Sequence, residues 1–209
     1  MKKIVVLALV FLFANSNLWA KGDAAAGKKI AESQCATCHS ADGNSSINPE
    51  WPKLAGQHSS YTVKQLQAFK AGMLKNGDSY RENALMGPMA MNLSYQDMLN
   101  LGAYYEEQTI TFGGVSKEVL EKGEQLYRFG DPERKIPACT GCHGPDGKGI
   151  NLAKFPSLGG QHPTYTALQL KNFREGKRNN DPNGVMRGIA EKMTDAQIDV
   201  ISQYLQGLH

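Results

Sequence analysis

The sequence lacks a strong charge of either sign. Its 209 residues include 23 lysines and arginines and 20 aspartates and glutamates, a net charge of +3. Without Lys2 and Lys3, which lie in the N-terminal segment, 23 − 2 = 21 basic side chains face 20 acidic ones, or +1. Nucleic acids and anionic membranes attract a large basic excess, so neither is expected as a general partner. The densest basic cluster is interpreted as a solvated helix end rather than a docking patch, and consists of Lys171, Arg174, Lys177 and Arg178.

Long apolar runs are also missing after the N-terminus. The apolar run Ile4–Phe13 follows Lys2 and Lys3, and Ala20 comes before a polar stretch. This order predicts a cleavable secretory signal over residues 1–20. The run is shorter than the roughly 20 residues of a spanning helix, which disfavours an uncleaved anchor. We therefore expect an exported, periplasmic protein without a transmembrane anchor.

Cysteine is scarce, and the four cysteines lie in two copies of one pattern. The copies are Cys35-Ala36-Thr37-Cys38-His39 and Cys139-Thr140-Gly141-Cys142-His143. Cys-X-X-Cys-His is the attachment motif of c-type haem, in which both thiols form thioethers with the haem and the histidine ligates iron. The pattern predicts two covalent haem c groups with His39 and His143 as iron ligands. The predicted attachment residues are Cys35, Cys38, Cys139 and Cys142.

Three other cysteine sites fit this pattern less well. Two disulfides would leave the histidine next to each cysteine pair unexplained. A zinc site would require the two pairs, about 100 residues apart, to meet in space, and the adjacent histidines suit tetrahedral ligation poorly. A thioredoxin-like redox pair needs a βαβ context that the sequence does not show.

The two motifs belong to an internal repeat. With a shift of 104 residues, the segment after the first motif matches the segment after the second. The repeated pairs are Pro52/Pro156, Leu54/Leu158, Gly56/Gly160, Gln57/Gln161, His58/His162, Tyr61/Tyr165, Gln65/Gln169, Phe69/Phe173 and Gly72/Gly176. Further on the shift falls to 100, which pairs Met86 with Met186. This tandem duplication predicts two domains, 21–110 and 116–209, joined by a linker over 111–115.

Helical periodicity and capping residues predict an all-α fold with three helices in each half. The predicted helices span residues 24–33, 59–71, 94–107, 116–129, 164–175 and 194–208. Gly27 and Gly123 lie within the first helix of each half, where glycine costs roughly 1 kcal/mol relative to alanine. Close approach of the last helix would offset that cost, with Tyr104 and Tyr204 as the expected contacts.

Each iron-ligating histidine needs an acceptor for its second ring nitrogen. Pro52 and Pro156 follow their motifs at the same distance. We expect their backbone carbonyls to accept hydrogen bonds from His39 and His143.

Methionine is the candidate ligand for the opposite face of each iron. Met86 and Met186 occupy matching positions in glycine-containing loops, eight residues before the cap of the last helix. Met89 is the reserve in the first half, because a single methionine is more often core filler than a ligand. His58 and His162 are also repeated, but they follow the proposed histidine-side loop. A polar contact or a role at a helix start is favoured for them over ligation.

The doubled motif, the Phe/Trp-Pro-X-Leu-X-Gly-Gln segments, the repeated methionines and the final aromatic helices together resemble the cytochrome c4 family. The resemblance covers essentially the whole chain after residue 20. It implies two tandem class I cytochrome c domains that face each other, with haem propionates near the interface and His/Met ligation of each iron. One departure is an eight-residue extension between Gly123 and Cys139. The residues implicated by the resemblance are Cys35, Cys38, His39 and Met86 for one haem, and Cys139, Cys142, His143 and Met186 for the other.

The resemblance also implies a function. The protein would be a periplasmic electron carrier, not an enzyme, with a quinol-oxidising cytochrome complex as donor and a haem-copper terminal oxidase as acceptor. Peripheral association with the membrane is compatible with that role. An electron-accepting subunit of an exported dehydrogenase is the first alternative. A dihaem peroxidase is the second, and it would need an open or displaceable position on one iron.

Overall fold

The structure of the protein, a computed structural model, describes residues 21–77 and 80–209. The predicted signal over residues 1–20 lies outside this range. Within it the regular elements are helices, apart from two isolated β-bridges, Asp131 with Ile136 and Ile150 with Phe155. None of the described helices is both long enough and apolar enough to cross a membrane. The predicted all-α class is confirmed.

The helices follow the same order in both halves. The first half contains α1 (Ala24–Ile30), α2 (Ala36–His39), α3 (Ser59–Leu74), α4 (Met86–Met91) and α5 (Tyr95–Glu106). A π-helical turn, Ala31–Cys35, joins α1 to α2. The second half contains α6 (Lys117–Phe129), α7 (Thr140–His143), α8 (Pro163–Arg174), α9 (Val185–Ala190) and α10 (Asp195–Leu205). A 3₁₀ turn, Pro182–Gly184, leads into α9.

Four short helices, α2, α4, α7 and α9, are additional to the six predicted ones. Met86 and Met186 therefore lie in helices α4 and α9 rather than in the predicted loops. In the first half, Asn83 Oδ1 accepts from the backbone N–H groups of Leu85 at 2.9 Å and Met86 at 2.7 Å. These bonds satisfy N–H groups that have no partner within the helix. A six-residue helix contains too few turns to leave a clear periodic pattern.

Side-chain caps begin the last helix of each half, as predicted. Ser94 Oγ accepts from the Asp97 N–H at 3.1 Å, and the Asp97 carboxylate accepts from the Ser94 N–H at 2.9 Å. Thr194 and Gln197 form the same reciprocal pair at 3.1 and 3.0 Å. Caps of this kind stabilise a helix by about 1 kcal/mol each.

Two glycines let the first helix of each half approach the last. A Cβ atom on Gly27 would lie 2.0 Å from the carbonyl oxygen of Asn100 and 2.9 Å from Cβ of Tyr104. A Cβ atom on Gly123 would lie 2.3 Å from Cβ of Tyr204. The expected contacts of both glycines with the last helices are confirmed, and they close each half around its own apolar core.

The segment between the halves is hydrogen-bonded to both of them. Asn44 in the first half donates from Nδ2 to the Thr109 carbonyl at 2.9 Å and accepts from the Thr111 N–H at 2.8 Å. The Gly113 N–H donates to the carbonyl of Gln206 at 2.8 Å. The connection is therefore held against the protein rather than extended away from it.

The extension before Cys139 forms a tight hairpin beside the start of α10. The backbones of Asp131 and Ile136 exchange hydrogen bonds of 2.9 and 2.8 Å. Gln197 donates to the Asp131 carboxylate at 2.7 Å, and Arg134 donates from Nε to the Lys192 carbonyl at 2.9 Å. The extension thus packs on the last helix of its own half.

Alanine at Gly27 or Gly123 should destabilise the protein. The added methyl group overlaps the last helix at distances that side chains do not tolerate, so the helices must move apart. We expect the free energy of unfolding to fall by about 1–3 kcal/mol, measured by chemical unfolding followed by circular dichroism. Gly114→Ala is the matched control, because nothing lies within 4 Å of its added Cβ. Equal unfolding midpoints for all three variants would contradict the packing described.

Candidate functional site

The last four residues of each Cys-X-X-Cys-His motif form a short helix, and the first cysteine is its N-cap. Cys35 and Cys139 occupy the N-cap positions of α2 and α7, so the second cysteine of each motif lies three residues on, on the same face. All four thiols are free and half-buried. Burial raises the pKa of the Cys35 thiol and raises that of Cys139 to about 11, so both are neutral at ordinary pH. Each motif therefore presents two thiols to one neighbouring group.

His39 and His143 end these helices and are buried, with 6% and 8% of their surface exposed. Nδ1 of His39 lies 3.0 Å from the Pro52 carbonyl oxygen, and Nδ1 of His143 lies 3.1 Å from that of Pro156. A carbonyl only accepts, so Nδ1 bears the proton and Nε2 keeps its lone pair. Burial also lowers the pKa of both imidazoles, which keeps them neutral. The predicted proline contacts are confirmed, and Nε2 is left as the atom able to bind a metal.

The methionines divide into core and non-core positions. Met98 and Met193 are 2% and 6% exposed and belong to the apolar cores. Met86 and Met186 are half-buried in the equivalent helices α4 and α9, which pack on α3 and α8. Met89 is 41% exposed. Burial and position thus keep Met86 and Met186 as the matched candidates for iron ligation.

His58 and His162 stand at the N-cap positions of α3 and α8. Nδ1 of His58 lies 3.7 Å from the Glu106 carboxylate. Nε2 of His162 lies 3.1 Å from Oγ of Ser46, in the other half. Both histidines make the polar contacts expected of them at helix starts.

Two arginines occupy equivalent positions between the halves, which the sequence did not predict. The guanidinium carbon of Arg81 lies 4.4 Å above the centre of the Phe69 ring, and that of Arg178 lies 4.4 Å above the Phe173 ring. In the sequence, Phe173 follows Phe69 by 104 residues, whereas Arg178 follows Arg81 by only 97. The repeat therefore aligns the phenylalanines but not the arginines. Arg178 is only 7% exposed, so the interpretation of its basic cluster as a solvated helix end is wrong for this residue.

Both arginines donate hydrogen bonds to neutral acceptors. Arg81 donates to Oε1 of Gln65 and of Gln169, each at 2.9 Å. Arg178 donates to Gln169 at 3.0 Å and to the Tyr61 hydroxyl at 2.7 Å. Burial and the nearby charge of Arg178 lower the pKa of Arg81 to about 10, which still leaves it charged at neutral pH. Two positive charges therefore meet inside the interface between the halves.

Two glutamines join the halves beside the histidine-bound loops. The carboxamide of Gln57 bonds to the backbone of Ser157, and that of Gln161 bonds to the backbone of Lys53. The repeat identifies both glutamines as recurring polar residues. Their cross-domain role requires the relative placement of the halves, which the sequence does not show.

These residues fit one haem in each half. The paired thiols suit thioether attachment, and each neutral histidine offers Nε2 to iron. Haem propionates are carboxylates, and the charges of the half-buried Arg81 and the buried Arg178 can compensate them. Nε2 of Gln65, beside both arginines, is a buried donor with no acceptor among the described residues, and a carboxylate would satisfy it. Within the same range, no three His, Cys, Asp or Glu residues cluster as an alternative metal site.

Replacing Arg178 by methionine should weaken the protein more than the same change at a surface arginine. The change leaves polar partners in the interface without their donor, so we expect a loss of roughly 2 kcal/mol in the free energy of unfolding. Arg128→Met is the control, because Arg128 forms an exposed pair with Glu124 on one helix and its loss should change the free energy of unfolding far less. Chemical unfolding of the haem-bearing proteins measures both, and equal losses would refute the assigned importance of Arg178.

Comparison with known proteins gives matches in family, sequence and structure. A family model described as Cytochrome c matches residues 24–107 and 120–209. The chain is 51% identical over 188 residues to a cytochrome c4 from Thiocapsa roseopersicina, which covers 90% of this chain and 93% of that protein. It is 36% identical over 181 residues to a thiosulfate dehydrogenase electron acceptor from Stutzerimonas stutzeri (strain A1501), over 85% of this chain and 80% of that protein.

A solved structure agrees with both the fold and the family. The crystal structure of reduced recombinant cytochrome c4 from Pseudomonas stutzeri matches with a TM-score of 0.84 at 45% identity, over 90% of this chain and 100% of that one. Two cytochrome c matches and two attachment motifs in one chain confirm the prediction of two covalent haem c groups. The chain belongs to the cytochrome c4 family and is a dihaem electron-transfer protein, not an enzyme.

Proposed function

We propose that His39 with Met86, and His143 with Met186, are the axial ligand pairs of the two haem irons. The observation that carries this proposal is the matched hydrogen bond from each histidine to a proline carbonyl, which leaves Nε2 free in both halves. The repeat supports the assignment of the two methionines, and so do their half-buried positions in equivalent helices.

The residues of this site are suited to moving electrons without transforming a substrate. A bound haem supplies a one-electron iron couple, and a thioether ligand favours the reduced state relative to a second histidine. The protein keeps each histidine neutral and oriented, and a histidine and a methionine bound to the same iron would leave no position for a substrate. Hydrogen bonds across the interface, such as those of Gln57 and Gln161, hold the halves together. An electron can therefore pass between the haems without diffusion of either half.

In the cell, we place this carrier in the periplasm, between a quinol-oxidising cytochrome complex and a haem-copper terminal oxidase. The N-terminal sequence supports export through a signal over residues 1–20. The near-balanced charge supports small protein partners rather than nucleic acid.

A second role has a specific observation in its favour. The 36% identity to a thiosulfate dehydrogenase electron acceptor supports service as the electron-accepting partner of an exported dehydrogenase. The same haem sites would serve either role. A dihaem peroxidase is less well supported, because matched methionines in both halves leave neither iron open.

Met86→Ala and Met186→Ala should each alter one haem only. Loss of the thioether should move that haem from a low-spin to a high-spin spectrum and lower its reduction potential. Absorption spectra and redox titration of the haem-bearing protein measure both effects. Met89→Leu is the control and should leave both haems unchanged. A wild-type spectrum in either alanine variant would remove that methionine from the ligand pair.

The two roles are separated by the donor that reduces the oxidised protein. For the respiratory role, membranes supplied with quinol should reduce it, and an inhibitor of the quinol-oxidising complex should stop the reaction. Thiosulfate with a purified thiosulfate dehydrogenase should then give no reduction above the rate without enzyme. Stopped-flow absorbance of the haem bands measures both rates. Rapid reduction by the dehydrogenase together with inert membranes would favour the second role.

A further inference from the structure

One peptide group near the first histidine makes hydrogen bonds with both halves of the protein. The carbonyl of Pro52 accepts from Nδ1 of His39 at 3.0 Å. The N–H of the same peptide belongs to Lys53 and donates to Oε1 of Gln161 at 2.8 Å. The peptide therefore links the histidine of the first half to a glutamine of the second.

The equivalent peptide near the second histidine has the same arrangement with the halves exchanged. The carbonyl of Pro156 accepts from Nδ1 of His143 at 3.1 Å. The N–H of that peptide belongs to Ser157 and donates to Oε1 of Gln57 at 3.0 Å. Each half thus places one glutamine on the peptide that holds the histidine of the other half.

The orientation of both carboxamides follows from their backbone partners. Nε2 of Gln161 donates to the Lys53 carbonyl at 2.9 Å, and Nε2 of Gln57 donates to the Ser157 carbonyl at 3.0 Å. A backbone N–H needs an oxygen and a backbone carbonyl needs a donor, so each Oε1 must face the N–H. Gln161 is only 7% exposed, which limits competition from water.

These bonds form a chain whose polarisation has a definite sign. When a peptide N–H donates, its own carbonyl oxygen becomes a stronger acceptor. A stronger acceptor at Nδ1 raises the basicity of a metal-ligating histidine. A more basic ligand donates more charge to iron, favours the oxidised state and lowers the reduction potential.

We propose that the glutamine of each half tunes the haem of the other half: Gln161 lowers the reduction potential of the first haem, and Gln57 lowers that of the second. The inference rests on the proposed ligation by His39 and His143. It makes both glutamines positioning residues that act through a peptide group and a histidine. If a glutamine served only to hold the two halves together, its bond to the backbone carbonyl would be the one that matters. Its replacement would then have no specific effect on the reduction potential of the opposite haem.

The test replaces each glutamine by methionine, which has similar length and no acceptor oxygen. In haem-bearing Gln161→Met, the first haem should become easier to reduce while the second is unchanged, and Gln57→Met should give the reverse. We expect about a twofold shift in the partition of one electron between the haems, in opposite directions for the two variants. Spectroelectrochemical titration measures the potentials. In the fully reduced, diamagnetic protein, proton NMR should show the Nδ1 proton of the opposite half moving upfield.

Two further variants separate tuning from loss of folding. Gln161→Asn keeps the interface polar but withdraws the acceptor, so it should act in the same direction as methionine. Gln161→Glu keeps an acceptor for the Lys53 N–H, so the His39 proton should not move upfield. With low-spin spectra retained, a shift confined to the haem of the same half, an equal shift of both haems, or no shift would overturn the inference alone. A spectrum showing that histidine does not ligate iron would instead overturn the proposed function.

Discussion

The hydrogen bond from each motif histidine to a proline carbonyl thirteen residues later is the interaction on which the rest of the structure depends. It selects the ring tautomer that leaves Nε2 available, and it fastens the loop after the motif beneath the histidine. A bond of 2.7 Å from the Leu54 N–H to the Gly43 carbonyl, repeated between Leu158 and Gly147, closes the same loop. The N–H of the same peptide as the proline carbonyl then points toward the other half, where it donates to a glutamine.

The interface between the halves is polar, and this has consequences for its rigidity. Arg81 and Arg178 share the acceptors Gln65 and Gln169, and each arginine also stacks on a phenylalanine of its own half. Buried polar groups are costly unless they are satisfied together, so such a network permits few relative positions of its two sides. A fixed relative position suits a protein that passes electrons between two haems, because the distance between haems held by the two halves would then not vary.

Features that depend on local order or on the repeat could be predicted from the sequence, whereas features that need the relative placement of the halves could not. The histidine–proline bonds and the contacts at Gly27 and Gly123 are of the first kind. Arg81 and Arg178 are of the second kind, and the alignment of the repeat does not pair them. Between the repeated glycine and the arginine the first half has seven more residues than the second, and between the arginine and the repeated methionine the second half has three more than the first. The net difference of four conceals their equivalence. Helix α4 was also missed, since one side chain, Asn83, starts it without any periodic pattern.

The residues that differ between the two halves say more about possible differences between the two haems than the repeated residues do. The histidine–proline distances differ by only 0.1 Å, so these bonds would give two histidine-bound irons nearly the same environment on the histidine side. Other repeated residues differ in their contacts: His58 lies beside the carboxylate of Glu106, whereas its counterpart His162 faces a neutral serine of the other half. A negative charge stabilises the oxidised state of a nearby metal and a neutral hydroxyl does so far less. Any difference in reduction potential between the two haems would arise from departures of this kind from the repeat.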